Sequence, residues 1–281
     1  MSNGIETHAS GRLVLVTGAS GKIGKHVVRE LKQRGFKVRA MTSKYRGNGD
    51  ASEGIEWRVK DFAASLDFDS DLEGCDAVIH LAAEIADSSR MQRVNVEATR
   101  ALARASERAN VAVFCYTSSA SVYGNSVSRL VTEQSPTLTP DKDIKSEYAA
   151  PDFLRTYGRT KLQGEIAIRE EASAVDYIIL RPTMVVDVDD VVQLGKLNPM
   201  RKNLTARRHA HYVYIVDVAQ AIVWSVERAL TRNESRAGVT IYNVAEDDFP
   251  ESSYEAILRK LRASTGTANM TCAPRRSLPM P

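Results

Sequence analysis

The 281-residue chain has little cysteine, few aromatics and almost no excess of one charge, and each shortage narrows what it can do. Its three cysteines, Cys75, Cys115 and Cys272, lie far apart without a CxxC pair. That spacing argues against a disulfide framework or a thiolate metal site and suits a reducing compartment. Lysine and arginine number 38 against 35 acids, a formal charge of +3. Arg201, Lys202, Arg207 and Arg208 form the one notable basic group. A nucleic-acid binder would show a basic stripe with aromatic platforms, and aromatics make up only 6% here. No window approaches the roughly 20 apolar residues of a membrane span, and Met1–Arg12 lacks the apolar core of a secretory leader. The expectation is a cytoplasmic protein with a small-molecule substrate, no metal, and no nucleic-acid or membrane partner.

What the chain does contain is alternation. Leu13–Val16 is a β-rich run ending at glycine, and Lys22–Gln33 follows with Ile23, Val27, Val28 and Leu31 at helical spacing, Gly35 closing it. Strands are expected at Phe36–Met41, Ile55–Val59, Ala77–Leu81, Val111–Tyr116, Tyr177–Leu180 and Ile241–Val244. Helices are expected at Arg90–Ala109, Asp152–Glu171, Val216–Leu230 and Tyr254–Leu261. Strand and helix in turn, with strands apolar along their whole length, predict an α/β fold: a Rossmann-type doubly wound parallel sheet with a small discontinuous C-terminal substrate lobe. The boundaries read as a flexible N-terminus at 1–11 and a dinucleotide-binding domain at 12–182, to which 213–245 partly returns. The substrate lobe is then 183–212 with 246–264, and 265–281 is a loose tail. Thr137–Pro151, rich in Asp and Lys, reads as a surface loop able to serve as a lid.

The first strand runs into Thr17-Gly18-Ala19-Ser20-Gly21-Lys22-Ile23-Gly24. Gly18 permits the tight turn, Gly21 lets backbone approach a pyrophosphate, and Gly24 lets the helix pack closely on the strand. The phosphates would rest on the helix N-terminus, where unpaired N–H groups and the dipole favour anions. Glycine turns also serve structural loops, but strand before and helix after supply the required context. About 20 residues on, an acid at the end of the second strand would bond the ribose 2′-OH and select NAD. The chain reads Met41-Thr42-Ser43-Lys44, with no acid before Asp50. Ser43, Lys44 and Arg46, with Lys22 nearby, can accept a 2′-phosphate, which favours NADP(H) and leaves NAD(H) open; such lysines are also commonly just solvated. Asp61, after the third strand, is placed to meet the adenine or simply to make a turn.

Tyr157 and Lys161 stand four apart on one helix face. An ammonium beside the phenol lowers a pKa ordinarily about 10, so Tyr157 can exchange a proton with a carbonyl or alcohol oxygen. Ser119, in Tyr116-Thr117-Ser118-Ser119-Ala120-Ser121-Val122-Tyr123-Gly124 at the end of the fifth strand, can hydrogen-bond the same oxygen or cap the next segment.

With these pieces in order, the chain resembles the extended short-chain dehydrogenase/reductases, the group that includes the NAD-dependent epimerase/dehydratase family. The strings carrying the resemblance are TGASGKIG, Asp76–Ala83, Asn95-Val96, YTSSASVYG, YGRTK, Leu180-Arg181-Pro182 and Tyr214–Ala219. The resemblance implies Ser119 as catalytic hydroxyl, Tyr157 as acid/base, and Lys161 as the group that tunes it and holds the nicotinamide ribose. It implies Leu81, Ala82 and Ala83 along the pyrophosphate and Pro182 opening a turn against the nicotinamide. Ser20, Ile23, Phe62, Asn95, Thr117, Arg181 and Thr183 are the remaining expected cofactor residues. Glu84, Ser121, Val185 and Arg208 join Ser119 as expected substrate residues. His80 is expected to be a packing residue.

The implied chemistry is hydride transfer at a carbonyl or secondary alcohol, with a sugar-nucleotide 4-ketoreductase or 4-epimerase foremost. Ala120-Ser121 stands where the family's sugar dehydratases carry an acidic pair, so dehydration is discounted. Val185-Val186-Asp187 departs from the family's Val-Tyr-Gly, and 188–212 is short for a nucleotide-diphosphate cradle. An NADPH-dependent reductase of a smaller carbonyl compound is therefore the alternative. A non-catalytic dinucleotide-binding sensor or assembly protein is the reading of another class. The family also implies a homodimer through the helices at 90–109 and 152–171.

Overall fold

Strands too apolar to face water on either side require helices on both faces of their sheet, and the computed structural model has that arrangement. It describes residues 11–43, 54–126, 128, 130–187, 190, 211–232 and 237–246. Strands β1 (Leu13–Thr17), β2 (Lys37–Thr42), β3 (Ile55–Val59), β4 (Ala77–His80), β5 (Val113–Thr117) and β6 (Asp176–Pro182) form one sheet. β7 (Met184–Val186) and β8 (Tyr212–Tyr214) make a separate two-stranded ribbon, and β9 (Gly238–Val244) joins the large sheet at its edge. The order is β3-β2-β1-β4-β5-β6-β9, with every pairing parallel.

Alternate residues of each strand point to opposite faces, so the sheet feeds two cores. Val14, Val16, Ile79, Cys115 and Ile178 lie under α1 (Lys22–Gln33) and α6 (Ile215–Leu230), which contribute Val27, Leu31, Ile222 and Val226. Leu15, Val78, Phe114, Tyr116 and Ile179 turn the other way, toward Leu102 of α4 (Ala98–Arg108) and Ile168 of α5 (Asp152–Glu171). Each such aliphatic side chain stabilises by about 1.5–3 kcal/mol on leaving water. The remaining helices are α2 (Asp69–Leu72) and α3 (Ser88–Met91).

Lys22–Gln33, Ile55–Val59 and Asp152–Glu171 take the ranges expected from their periodicity. The helix expected unbroken over 90–109 is instead α3, a π-helical stretch at Gln92–Glu97, and α4. Within this stretch Asn95 turns inward to bond the loop at Glu84 and Thr160 of α5. The segment expected as a lid is fastened. Glu147 accepts from the Thr139 N–H (2.9 Å) and hydroxyl (2.6 Å), Arg155 grips Asp143 (3.0 Å) and the Ala150 carbonyl (2.6 Å), and Gln163 reaches the Pro140 carbonyl (2.9 Å).

The chain divides into two compact units, Met1–Val185 with Tyr212–Glu246, and Val186–His211 with Asp247–Pro281. Residues 1–10 of the expected flexible N-terminus, the helix at Tyr254–Leu261 and the tail lie outside the described residues. So do Lys44, Arg46, Arg201, Lys202, Arg207 and Arg208.

Candidate active site

The strand order reverses between β1 and β4, and in such sheets the crevice beyond the strand ends opens there. A cleft of about 250 Å³ occupies that position. Gly18, Ser20 and Gly21 line it after β1, Met41, Thr42 and Ser43 at the end of β2, Lys60, Asp61 and Phe62 after β3, and Leu81–Glu84 after β4, with Arg90 and Val94. Gly18 has φ +66°, and a Cβ there would sit 2.8 Å from the Ala82 nitrogen; one on Gly24 would sit 2.2 Å from the Gly18 oxygen. Loop, helix and neighbouring loop thus close to backbone distance, a space only glycine leaves. Gly21 is the N-cap of α1 and has no side chain to occupy the first N–H groups of that helix. The cradle and the uncapped helix start fit a dinucleotide pyrophosphate.

His80 steadies one wall of this cleft from beneath. Thr99 Oγ1 donates to the Asn95 carbonyl (2.8 Å), so the histidine Nε2 donates to Thr99 (2.9 Å) and its Nδ1 accepts from Thr17 Oγ1 (2.7 Å). Thr17 Oγ1 in turn accepts the N–H groups of Leu81 and Ala82 (both 3.2 Å). Burial, then the nearby Lys161 charge, pulls the imidazole down to about 3. His80 is a neutral packing and relay group, as its place in the motif led one to expect.

At the other end of the site α5 crosses the end of β5. Gly158 makes this possible, since a Cβ there would lie 2.8 Å from the Ser121 carbonyl oxygen. Ser119 N-caps the short 3-10 turn Ala120–Tyr123, and its Oγ accepts from the Ser121 N–H (3.1 Å) and hydroxyl (2.9 Å). With both lone pairs engaged, the role left to Ser119 is that of a donor. Thr117 Oγ1, one of the expected cofactor atoms, is buried with no hydrogen-bond partner, which fits a site completed by something bound.

The proton chemistry differs from the sequence expectation. Burial pushes the half-buried Tyr157 phenol up, to about 12, rather than down. Burial also draws the Lys161 ammonium down to about 7, opposed by the charge of Glu165. Lys161 is 2% exposed, and its Nζ lies 4.3 Å from the centre of the Tyr116 ring. Desolvation penalises the charged form of both groups.

Other expected residues turn out to hold the site together. Arg181 is buried and grips Glu165 with two hydrogen bonds (2.9 and 2.6 Å) and the Tyr123 hydroxyl (2.7 Å), so its side chain does not face the cleft. Ser118 donates to the same Glu165 carboxylate (2.5 Å), and Tyr123 donates to Asn243 (2.8 Å). Asn95 clamps both backbone groups of Glu84 (2.7 and 2.9 Å) and donates to Thr160 (3.0 Å). Glu84 lines the cofactor cleft, expected instead at the substrate, and its carboxylate accepts the N–H groups of Ile85, Ala86 and Asp87. Ile23 packs on the α1 core and Lys22 is exposed. Pro182 ends β6, Thr183 donates its N–H to the Val244 carbonyl (2.9 Å), and Val185 lies in the ribbon. Sequence reasoning missed Lys60 and Arg90, which stand in no motif. Arg90 pairs with Asp61 (3.0 Å), which also accepts the Ala63 N–H (2.9 Å). Among the described residues no helix is long and apolar enough to cross a membrane, and no His, Cys, Asp and Glu side chains gather as metal ligands.

Comparison with known proteins places this geometry. The model of the NAD dependent epimerase/dehydratase family matches residues 14–245. Cinnamoyl-CoA reductase 1 of Oryza sativa subsp. japonica is 27% identical over 256 residues, covering 84% of this chain and 73% of the reductase. UDP-glucose 4-epimerase of Lactobacillus helveticus is 30% identical over 183 residues, covering 60% of this chain, which spans about half of the epimerase (50%). A short-chain dehydrogenase/reductase superfamily protein from Agrobacterium tumefaciens, solved with bound NAD, superposes with a TM-score of 0.68 at 26% identity, covering 91% of this chain and 83% of the other. The chain belongs to the NAD-dependent epimerase/dehydratase family, and its parallel sheet is the Rossmann-like fold of that family.

Proposed function

We propose that the chain is a nicotinamide-dependent reductase that carries a hydride to a carbonyl carbon, with a 4-keto sugar nucleotide as substrate and NADPH as the preferred donor. The observation that carries the reaction is the close packing of α5 on the turn that Ser119 caps. Ser119 has only its proton left to offer, Tyr157 stands on the helix packed against its turn, and Lys161 lies buried one turn further on. The nicotinamide, when bound, supplies the hydride. Ser119 donates to the substrate oxygen as charge develops there, Tyr157 delivers the proton, and the Lys161 charge favours the phenolate left behind. The Thr17–His80–Thr99 chain holds the Leu81 and Ala82 amides in place throughout.

The preference for NADPH rests on the end of β2. Ser43 lines the cleft with Lys60, which pairs with Asp71, and Arg90, which pairs with Asp61, while Glu84 is engaged by backbone N–H groups. A carboxylate able to hold a 2′-hydroxyl is missing from Met41–Ser43. An epimerase keeps its NAD and returns the hydride to the other face, so the missing carboxylate also favours the reductase. The match to a cinnamoyl-CoA reductase across 84% of the chain supports a second reading, reduction of a smaller carbonyl compound by the same three groups. A homodimer through α4 and α5 belongs to the proposal, and light scattering that returns a monomer mass would remove it.

The test is cofactor titration by tryptophan fluorescence, NADPH against NADH, on wild type and Ser43→Asp. Tighter NADPH binding that the substitution reverses supports the reductase. NAD retained through purification, or NADH binding more tightly to the wild type, brings the epimerase forward.

A further inference from the structure

Lys161 is a buried cation whose surroundings come from four elements. Its own helix, α5, supplies Tyr157 before it and Glu165 after it. β5 supplies Tyr116, whose ring lies 4.3 Å below Nζ. β4 supplies neutral His80, stacked on that ring at 5.5 Å and 25°. β6 supplies Arg181, whose guanidinium is bound to Glu165 (2.6 Å) and so draws that carboxylate away from full service to the lysine. Tyr116 is fully buried, and a Cβ on Gly164 would lie 2.6 Å from its hydroxyl oxygen, so the helix is free of side chain where it passes over the ring.

We propose that the face of Tyr116 is the seat of Lys161: a positioning residue that holds the ammonium charged and in place from below, with Gly164 admitting the ring and His80 bracing it. The proposal deepens the proposed function, since the ring counters the burial that draws Lys161 toward its neutral form where Tyr157 needs a cation. A ring face attracts a cation most strongly when both are desolvated. The hydroxyl of Tyr116 has no part in this, because the attraction is to the ring. Burial favours neutral Lys161 and the ring favours the cation, so removing the ring lowers the pH at which the proton leaves.

The experiment reads the lysine itself, in the cofactor-free protein, by the pH dependence of the carbon-13 side-chain resonances of labelled lysine. The Lys161 signal is assigned by its disappearance in Lys161→Met. The wild type should titrate below the ordinary lysine value, in the direction that burial sets. Tyr116→Phe should titrate at the same place, and Tyr116→Leu lower by about one pH unit. In turnover, the alkaline limb of kcat in the reductive direction should move down with Tyr116→Leu and return with Tyr116→Phe, KM for NADPH changing little. A Tyr116→Leu lysine titrating with the wild type overturns the proposal, as does a Tyr116→Phe lysine shifted as far as the leucine variant. Circular dichroism and the midpoint of urea unfolding identify a variant that has lost its fold; the milder Tyr116→Met then gives the same reading. The resonance shifts without any change in the alkaline limb would leave the seat standing and sink the assignment of Lys161 to the reaction.

Discussion

The two ends of the site are built from opposite materials. The pyrophosphate end is made of backbone: Gly18, Gly21 and Gly24 bring loop and helix within reach of each other, and the N–H groups of α1 face outward without a side-chain cap. The catalytic end is made of buried polar side chains that engage one another, as Glu165 does with Arg181 and Ser118, and Lys161 with the ring of Tyr116. The first kind of site is limited by space alone at Gly18 and Gly24. The second is limited by space at Gly158 and Gly164 and also by the loss of a partner, since a charge left alone in the interior is strongly destabilising. Steric change threatens both ends, and electrostatic change the catalytic end.

That contrast can be broken by substitution. The largest effect expected is from Glu165→Leu, which strands Arg181 and should lower stability by about 3–5 kcal/mol in urea unfolding. Glu165→Leu with Arg181→Met should recover much of it, and a double variant no better than the single would show the pair is not the cause. Tyr157→Phe should lower kcat by about 10³-fold while the cofactor affinity and the urea midpoint hold. A residual rate within tenfold of wild type would remove Tyr157 from the proton path. Gly24→Ala should lower stability by about 1–3 kcal/mol and weaken dinucleotide binding, because its methyl would meet backbone rather than a movable side chain. A separate effect appears only on acidification. His80 titrates near 3 in the fold against an ordinary 6.5, so the stability of its neutral form is fully present above about 6.5 and lost as pH falls toward 3. The slope is about 1.4 kcal/mol per pH unit across that window, and His80→Gln should flatten it. An unchanged slope would mean that other groups govern the acid limb.

The sequence was most readable where backbone demanded a residue type. The glycines after β1 declare a close approach that nothing else allows, and the apolar runs of β1, β4, β5 and β6 declare burial on both faces. Arg181 and Asn95 were misplaced because a motif reveals that a residue matters and not which way its side chain turns. Arg181 is turned by Glu165, sixteen residues away along the chain, and Asn95 by the backbone of Glu84. Lys60 and Arg90 reach the cleft through tertiary placement alone. Tyr157 departs from the expectation for the same reason: spacing gives the neighbour at i+4 but not the burial that pushes its phenol up.

The π-helical stretch at Gln92–Glu97 has a consequence for how this chain can change length. Such a turn holds one residue more than the α-helix around it. Removing a single residue there would leave a smooth α-helix from Ser88 to Arg108, and would rotate the residues before the cut by about 100° relative to those after it. Asn95 would then leave Glu84 and Thr160 together, loosening the cofactor wall and the turn before Lys161 in one step. The helix would gain regularity while the site lost its alignment, so a deletion here would spare the helix and cost the site.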